Sequence, residues 1–588
     1  MCGIFGYVGS SRNASEAVIE GLRKLDYRGY DSWGVATLSE TGIEVEKKVG
    51  VVTRDPISTQ GTIAIGHTRW ATHGSVSDMN AHPHRATDRS FALAHNGIVD
   101  NAEKLKKELE QKGYTFISET DTETIVYLVE EKRKKTKTLL EALRLAFREL
   151  EGRNTVIVLS NDGQVIGARN GSPLVIGIGK GPSEIYFSSD VLSFSSHVHS
   201  VVVLENGQMA ATSGSLALYD IASGKTIKQV VEKNAIVGAD VDKGDFDHYM
   251  LKEIYDSPFV IRQLLKEDEQ RYAALARAIR KARTVYCVGS GTAGAAAAQI
   301  AYYLRVYGKI RAVALIGAEA SDYYHLFGKG DLLIAPSQSG ETADVLEVLE
   351  VAKKRGANIA SFVNMPGSMM TRMSDYPFMA QAGPEICVMS TKIFVSQIAW
   401  GYLVAKAVGG TYAEGRRALQ GLARAMEVFL KNNESTQHIR TIASAFAGQS
   451  NLFLLGKGQN TQIIKEGMVK IIEGAYIHAH GIPAGDLKHY AITLMEAGTP
   501  VIAVVSNDAL QNDVLNAMHE VKARGATVLS ISPIPSSQFS DWLQVPDTKE
   551  TSAIMNVIPL QLLAYYLAVH LGNNVDKPRN IAKSVTVR

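Results

Sequence analysis

Two stretches of this chain, VLEVLEVAKKRGANI (345–359) and VLNAMHEVKARGATV (514–528), follow one pattern at an offset of about 170 residues. A weaker echo pairs VYCVGSGTAG, from Val285, with LFLLGKGQNT, from Leu452, at nearly the same offset. A duplicated unit of that size, with strands alternating with long helices, predicts two copies of a doubly wound α/β fold with parallel sheets. In each copy a strand ends in a Gly-rich turn where a helix begins. The N–H groups of that helix start then face the carboxyl edge of the sheet, where anions bind.

The segment before the repeat has a different texture. Short β-branched runs at Thr62–Ile65, Phe91–Ala94, Thr155–Leu159 and Ser200–Leu204 are separated by Gly, Asn and Asp turn signals. Helical patterns intervene at Ala14–Leu25, Asn101–Lys112 and Thr122–Lys132. This predicts an α+β domain of layered sheets, ending near residue 240 at the charged stretch Asp240–Asp247, with a second boundary near 430.

Composition closes off several function classes. With 62 Lys and Arg against 60 Asp and Glu, the net charge of +2 gives no basic field for nucleic acid. The three cysteines, Cys2, Cys287 and Cys387, are odd in number and far apart, which favours a reducing, cytoplasmic setting over a disulfide framework. The start, MCGIFGYVG, lacks the basic flank and apolar core of a signal peptide, and the apolar stretch Ile558–Leu571, broken by Gln561 and His570, reads as too short to span a bilayer. No membrane role is expected.

Cys2 draws attention because removal of Met1 would give one residue both a thiol and an α-amine, a nucleophile with its own base. Around it stand HTRWATHG (67–74), HNG (95–97) and SETDTE (118–123), polar segments suited to an amide substrate. Arg69 offers a planar fork for a carboxylate, Asp121 an anion for an ammonium, and Asn96 with the Gly97 N–H two donors for an oxyanion. Together they describe recognition of a free amino acid and acyl transfer at its side-chain amide. With YRGYDS (27–32) and NAHPH (80–84), these motifs resemble the glutaminase domain of class II, N-terminal-nucleophile amidotransferases. The resemblance implies that Cys2 attacks glutamine, that Asn96 and Gly97 hold the oxyanion, that Arg69, Thr72, His73 and Asp121 bind glutamine, and that Trp70 lies at the mouth of an ammonia route.

In the first repeat, APSQSGET (335–342) follows an apolar strand and precedes a helix, crowding Ser337, Gln338, Ser339 and Thr342 at a helix start that suits a phosphate dianion. The alternative is a plain Ser/Thr helix cap. It is not a nucleotide P-loop: the Gly179–Lys180 pair lacks the spacing and the following hydroxyl. The loop and the repeat resemble sugar isomerase domains. Their pairing with the glutaminase domain is similar to the isomerising amidotransferases that take glutamine and fructose 6-phosphate to glucosamine 6-phosphate and glutamate. Supporting segments are GSGTAG (289–294), EICVMSTK (385–392), KEGMVKIIEGAYIHA (465–479), AGDLKH (484–489) and DKPRNIAKSVTV (576–587).

That resemblance implies a glutaminase domain at 2–238, sugar isomerase domains at 239–430 and 431–575, and an active-site tail at 576–588. It implies sugar-phosphate contacts from Thr292, Val388, Ser390, Ala582 and the Ser337 loop. His489 would open the ring, Lys583 form a Schiff base with C2, and Glu473 move a proton between C1 and C2. Lys470, three residues before Glu473 on a helical pattern, shares its face and is placed to tune that carboxylate, although a solvated helix ion pair has the same spacing. No cofactor is called for, and a homodimer is expected in which a histidine crosses between subunits. His82, His84, His478 and His480 lack the cysteine or carboxylate set that would complete a metal site, so none is expected.

Departures from the family pattern are Trp33 in place of alanine, Ala293 in place of serine, Tyr490–Ala491 in place of Gly-Pro, and the chain-end Arg588. Trp33, near the nucleophile's surroundings, is expected either to crowd the glutamine site or to fill a co-adapted pocket. A deglycase or another amidotransferase acting on a different phosphosugar would share Glu473 and Lys583, and a non-catalytic phosphosugar sensor would share the fold. A deglycase would not need the Cys2 cluster.

Overall fold

The computed structural model describes residues 2–9, 13–53, 59–179, 181, 184–213, 215–234 and 242–586. Expectations concerning Met1, Lys180, the boundary at 238–239 and Arg588 lie outside the described residues. The chain forms two compact units, 1–239 together with 582–588, and 240–581.

The first unit is built on two antiparallel sheets. Its strands are β1 (Gly3–Val8), β2 (Ser32–Ser39), β3 (Gly42–Val49), β4 (Ile63–Arg69), β5 (His84–Arg85), β6 (Phe91–Gly97), β7 (Asn154–Ser160), β8 (Val165–Asn170), β9 (Val175–Gly179), β10 (Ile185–Ser188), β11 (Val198–Val203), β12 (Gln208–Ser213), β13 (Ser215–Asp220), β14 (Thr226–Ile227) and β15 (Glu232–Lys233). They order as β15-β11-β9-β10-β1-β4-β2-β3 and β14-β13-β12-β8-β7-β6-β5. The period-2 alternation of strand side chains sorts the core into layers. Ile4, Ala36, Ile65, Ala92, Ala94, Ile157 and Leu159 share the core between the sheets. Their strand neighbours Phe5, Val35 and Ala64 face the helix Ala14–Lys24, and Phe91, Leu93, Val156 and Val158 face the helices between Ala102 and Phe147. The result is a helix–sheet–sheet–helix stack, the layered α+β domain expected from the sequence. Asn13 caps the first helix by accepting from the Ser15 N–H.

Trp33 faces the helix side of β2, buried at 1% exposure among Phe5, Val18 and Leu22. Lys48 lies over its ring at 5.5 Å. The indole fills core space, and its N–H has no partner among the described residues.

The second unit carries two five-stranded parallel sheets. One contains β16 (Val285–Gly289), β17 (Ala312–Ile316), β18 (Leu332–Ser337), β19 (Asn358–Val363) and β20 (Tyr376–Met379); the other contains β21 (Asn451–Gly456), β22 (His478–Pro483), β23 (Pro500–Val504), β24 (Thr527–Ser532) and β25 (Asp541–Gln544). Both run second-first-third-fourth-fifth: β17-β16-β18-β19-β20 and β22-β21-β23-β24-β25. The strand order reverses between the first and third strands, so each sheet has a crevice there at its carboxyl edge.

The helix Ser552–His570 packs against the second copy's helix Thr461–Ala475. Here the structure corrects the sequence reading of a short apolar stretch: Lys549–His570 is long and apolar enough to cross a membrane by length and composition, yet 94% of its most apolar window is buried inside the protein. It is a core helix, hydrophobic all round because protein surrounds it. Inside it Gln561 donates to the Thr391 carbonyl (3.2 Å) and Asn556 to Asn460 Oδ1 (3.0 Å), while His570 at its end is exposed.

Candidate functional site

In the first unit β1 pairs with β4 so that Gly3 lies opposite Thr68, which brings Cys2 beside the end of HTRW. Its sulfur lies 3.3 Å from the Trp70 N–H and 3.5 Å from the Trp70 carbonyl. Burial pushes the Cys2 thiol up from its ordinary value, against the opposing pull of the Trp70 N–H and the Arg69 charge. The YRGYDS segment supports this corner. Arg28 Nε donates to the Cys2 carbonyl (3.3 Å), and its Nη1 reaches Asp190 at 3.3 Å, both side chains buried. Asp31 accepts from the Ala71 N–H (2.8 Å). Gly29 lies so close to the Arg69–Trp70 peptide that a Cβ would meet it at 2.7 Å.

The motifs HTR and HNG are the ends of β4 and β6. Asn96 is buried at 1% and Gly97 has φ +144°, where a Cβ would meet the Arg153 carbonyl at 2.2 Å, so only glycine fits. Arg69 spends three donors on carbonyls, those of His73 (2.5 Å), Gly74 (3.1 Å) and Ser75 (3.0 Å), and so shapes the loop that exposes Thr72 and His73. Glu119 closes the same loop by accepting from Ser75 N–H, Ser75 Oγ and Asn80 Nδ2, each at 2.8 Å, and these bonds pull its carboxyl down to about 2. Asp121 accepts from the Val99 N–H at 2.8 Å, and its negative charge adds to burial in raising the Cys2 thiol, opposite to Arg69. His82 and His84 are buried and ring-packed, at 5.0 Å between centroids.

In the second unit GSGTAG follows β16 and PSQSGET follows β18, so both loops flank the first crevice. Ser337 Oγ accepts from the Gly340 N–H (2.9 Å) and Ser339 Oγ from the Glu341 N–H (3.1 Å), which curls the loop. Gln338 contributes its carbonyl to the Asn364 and Met365 N–H groups. Thr342 stands at the cap position of the helix Ala343–Lys354, yet its side chain makes no capping hydrogen bond. The simple helix-cap reading therefore does not hold for Thr342, and the helix start is left without that side-chain acceptor. Ser390 Oγ donates to Glu385 (2.9 Å), and the Val388 N–H to the Asp576 carbonyl (2.9 Å).

Thr292 is linked to the second copy. Lys470 Nζ, on the helix Thr461–Ala475, lies 3.1 Å from Thr292 Oγ1, 2.5 Å from Glu473 Oε2 and 3.5 Å from Glu466 Oε1. Lys470 and Glu466 are each about 1% exposed and Glu473 26%. Burial would lower Lys470, but Glu466 and Glu473 together raise it above its ordinary value. Burial pushes Glu466 up to about 7 despite the neighbouring ammonium. Lys470 is thus a buried ammonium shared by the buried Glu466 and the partly exposed Glu473, not half of a solvated ion pair.

Sequence reasoning missed two residues here. Glu466 completes a 466, 470, 473 helical spacing that was legible, and Arg28 sits inside a motif that was quoted. Of three further expected residues, His489 is exposed on the short turn Leu487–His489, and Ala582 and Lys583, both half-buried, group with the first unit. A cavity of about 630 Å³ lined by Asn451, His478, His480, Glu496 and Thr499 opens at the amino ends of β21 to β23, the edge opposite the carboxyl ends, and contains none of the expected site residues. Among the described residues no three His, Cys, Asp or Glu side chains group to hold a metal ion.

Comparison with known proteins places these features in one lineage. A glutamine amidotransferase domain family matches residues 67–196, and the SIS domain family matches 278–407 and 445–571. The chain is 36% identical over 600 residues to a glutamine–fructose-6-phosphate aminotransferase (isomerizing) of Pyrococcus horikoshii, and 37% identical over 619 residues to one of Thermus thermophilus, with each chain fully covered. Among solved structures, the C-terminal domain of glucosamine-fructose-6-phosphate aminotransferase from Francisella tularensis is similar with a TM-score of 0.52 and 30% identity, covering 57% of this chain and all of that one. With its amidotransferase domain, its paired SIS domains and this full-length identity, the chain belongs to the glutamine–fructose-6-phosphate aminotransferase (isomerizing) family of enzymes.

Proposed function

We propose that this enzyme converts fructose 6-phosphate and glutamine to glucosamine 6-phosphate and glutamate. The observation that carries the sugar half is the Thr292–Glu466–Lys470–Glu473 cluster beside two phosphate-suited loops at a sheet crevice. Full-length similarity to aminotransferases of that name supports the pairing with a glutaminase. In this reading the Cys2 thiolate attacks the glutamine amide carbon, Asn96 and Gly97 stabilise the oxyanion, and Arg69, Thr72, His73 and Asp121 seat the amino acid. Ammonia leaves past Trp70, and water releases glutamate from the thioester.

At the sugar, Ser337, Gln338, Ser339 and Thr342 hold the phosphate, with Thr292, Val388, Ser390 and Ala582 around the chain. His489 opens the ring. Lys583 condenses with the C2 carbonyl, losing water, and ammonia displaces the lysine to leave a C2 imine. Glu473 takes a proton from C1 and returns it to C2, giving the aldehyde and the amine. Lys470 holds Glu473 in place. The exposed His489, beside Tyr490 at 44% and Leu494 at 55% exposure, supports a homodimer in which this face meets a second copy. Three free cysteines suit a reducing cytoplasm.

The test is incubation with fructose 6-phosphate and glutamine labelled with ¹⁵N at its side-chain amide, followed by mass spectrometry. Labelled glucosamine 6-phosphate is expected; glutamate without amino sugar would refute the assignment.

A further inference from the structure

The ring of His67 joins the two sheets of the first unit at the candidate oxyanion residue. His67 lies on β4, fully buried, and its Nε2 is 3.0 Å from the His95 carbonyl and 3.1 Å from Asn96 Oδ1, both on β6. A backbone carbonyl can only accept, so Nε2 carries the hydrogen. Burial holds this imidazole down to about 3, so it is neutral at working pH and Nδ1 carries no proton. The tautomer then settles the Asn96 amide. The atom facing Nε2–H must be the oxygen, because a flipped amide would set N–H against N–H. Asn96 Nδ2 is therefore turned away from His67, and it is buried with no partner among the described residues. A buried amide donor left over in this way is unusual and calls for an acceptor.

The neighbours keep the ring and the strand in place. His67 packs on His82 at 4.4 Å between centroids, His82 on His84 at 5.0 Å, and His84 Nε2 lies 3.1 Å from Thr120 Oγ1. Beside Asn96, the His95 ring is held between Thr122 Oγ1 and Asn154 Oδ1, each at 3.0 Å.

We infer that His67 is a positioning residue for glutamine hydrolysis, its Nε2–H fixing the Asn96 amide so that Nδ2 is presented to the developing oxyanion. This rests on the reading of Asn96 as an oxyanion donor. Because such a donor acts mainly in the transition state, losing its aim lowers kcat more than it raises KM.

The experiment measures glutamine hydrolysis by the full-length enzyme for His67→Phe, which keeps a flat ring without a donor, for His67→Met, a slimmer donor-free variant in case the phenyl ring prevents folding, for His67→Gln, which restores an N–H, and for Asn96→Ala. Asn96→Ala should lose about 10² in kcat, the usual loss for one oxyanion donor. The donor-free His67 variants should lose about tenfold to 10² in kcat with KM for glutamine changed less than about threefold, and His67→Gln should regain most of the loss. Isomerisation of fructose 6-phosphate should be unchanged throughout. A normal kcat in the donor-free variants beside a crippled Asn96→Ala would overturn the role of His67. A normal Asn96→Ala would instead overturn the oxyanion reading itself. Equal losses in His67→Gln and His67→Phe would reduce His67 to packing.

Discussion

In the first unit four imidazoles, His67, His82, His84 and His95, lie together at 5% exposure or less, and burial lowers all four so that they stay neutral. In the second unit the buried group is an ammonium, Lys470, held between two carboxylates. Both regions take ionisable side chains out of water, but one removes the charge and the other pairs it. The difference matches what each site is proposed to do. An oxyanion site needs fixed neutral donors that do not compete with the developing charge, whereas proton transfer between carbon atoms needs a carboxylate kept ready beside a cation.

The largest expected effect tests whether the two chemistries are separable at all. Cys2→Ala should lower glutamine-dependent synthesis by at least about 10⁴, since removal of a nucleophile leaves only binding and oxyanion contributions. Isomerisation of fructose 6-phosphate to glucose 6-phosphate should survive. A kinetic comparison of the two reactions on one preparation decides it, and synthesis at the normal rate would end the nucleophile assignment.

Next in size is removal of the cation. Lys470→Met strips Glu466 and Glu473 of their counter-charge, and at pH 8, above the folded value of Glu466, stability should fall by up to about 4 kcal/mol, the usual penalty for breaking one side of a buried pair. Adding Glu466→Gln to that variant should return part of the loss. Denaturant unfolding of the single and double variants reads this directly; an unchanged midpoint for Lys470→Met would mean that pairing is not how this unit tolerates the charge.

Trp33 gives a milder contrast inside the first unit. Its indole fills core volume between β2 and the first helix. Trp33→Ala should therefore cost about 3 kcal/mol through the cavity it leaves, with glutamine hydrolysis little changed. A gain in hydrolysis without loss of stability would revive the idea that the ring crowds the site.

What the sequence could show follows from which signals are periodic. The repeat told that two copies exist, and the shared strand order of both sheets repeats that statement in three dimensions. Strand ends were harder. His67–Arg69 and Asn96–Gly97 continue β4 and β6, but their polarity breaks the apolar alternation that marks a strand, so the sequence runs stopped at Ile65 and Ala94. Glu466 was hidden for the opposite reason: Glu and Lys one turn apart usually describe a wet helix face, and only tertiary packing shows that this face is dry. Gln561 misled in the same way, as a polar break in an apolar run whose amide donates to the Thr391 carbonyl inside the protein.

The smallest effect per unit change concerns pH, and the two units should respond with opposite sign. Each of the four buried imidazoles, His67, His82, His84 and His95, has a folded value below its ordinary 6.5, about 3 for His67. The stability it contributes is complete above 6.5 and is lost as pH falls toward the folded value, at up to about 1.4 kcal/mol per pH unit for each ring that stays neutral. Glu466 runs the other way. Its folded value, about 7, lies above its ordinary 4.5, so its contribution is complete below 4.5 and is lost as pH rises through 7. Between pH 7 and pH 5 the strands β4 and β6 should therefore open more readily while the helix Thr461–Ala475 holds or tightens. Hydrogen exchange at pH 5, 6 and 7, corrected for intrinsic rates and read peptide by peptide, separates the two. Glu466→Gln should flatten the pH response of that helix without touching β4. A parallel loss of protection in both regions, or a helix response that persists in Glu466→Gln, would show that the contrast between neutral and paired burial does not govern how the units meet acid.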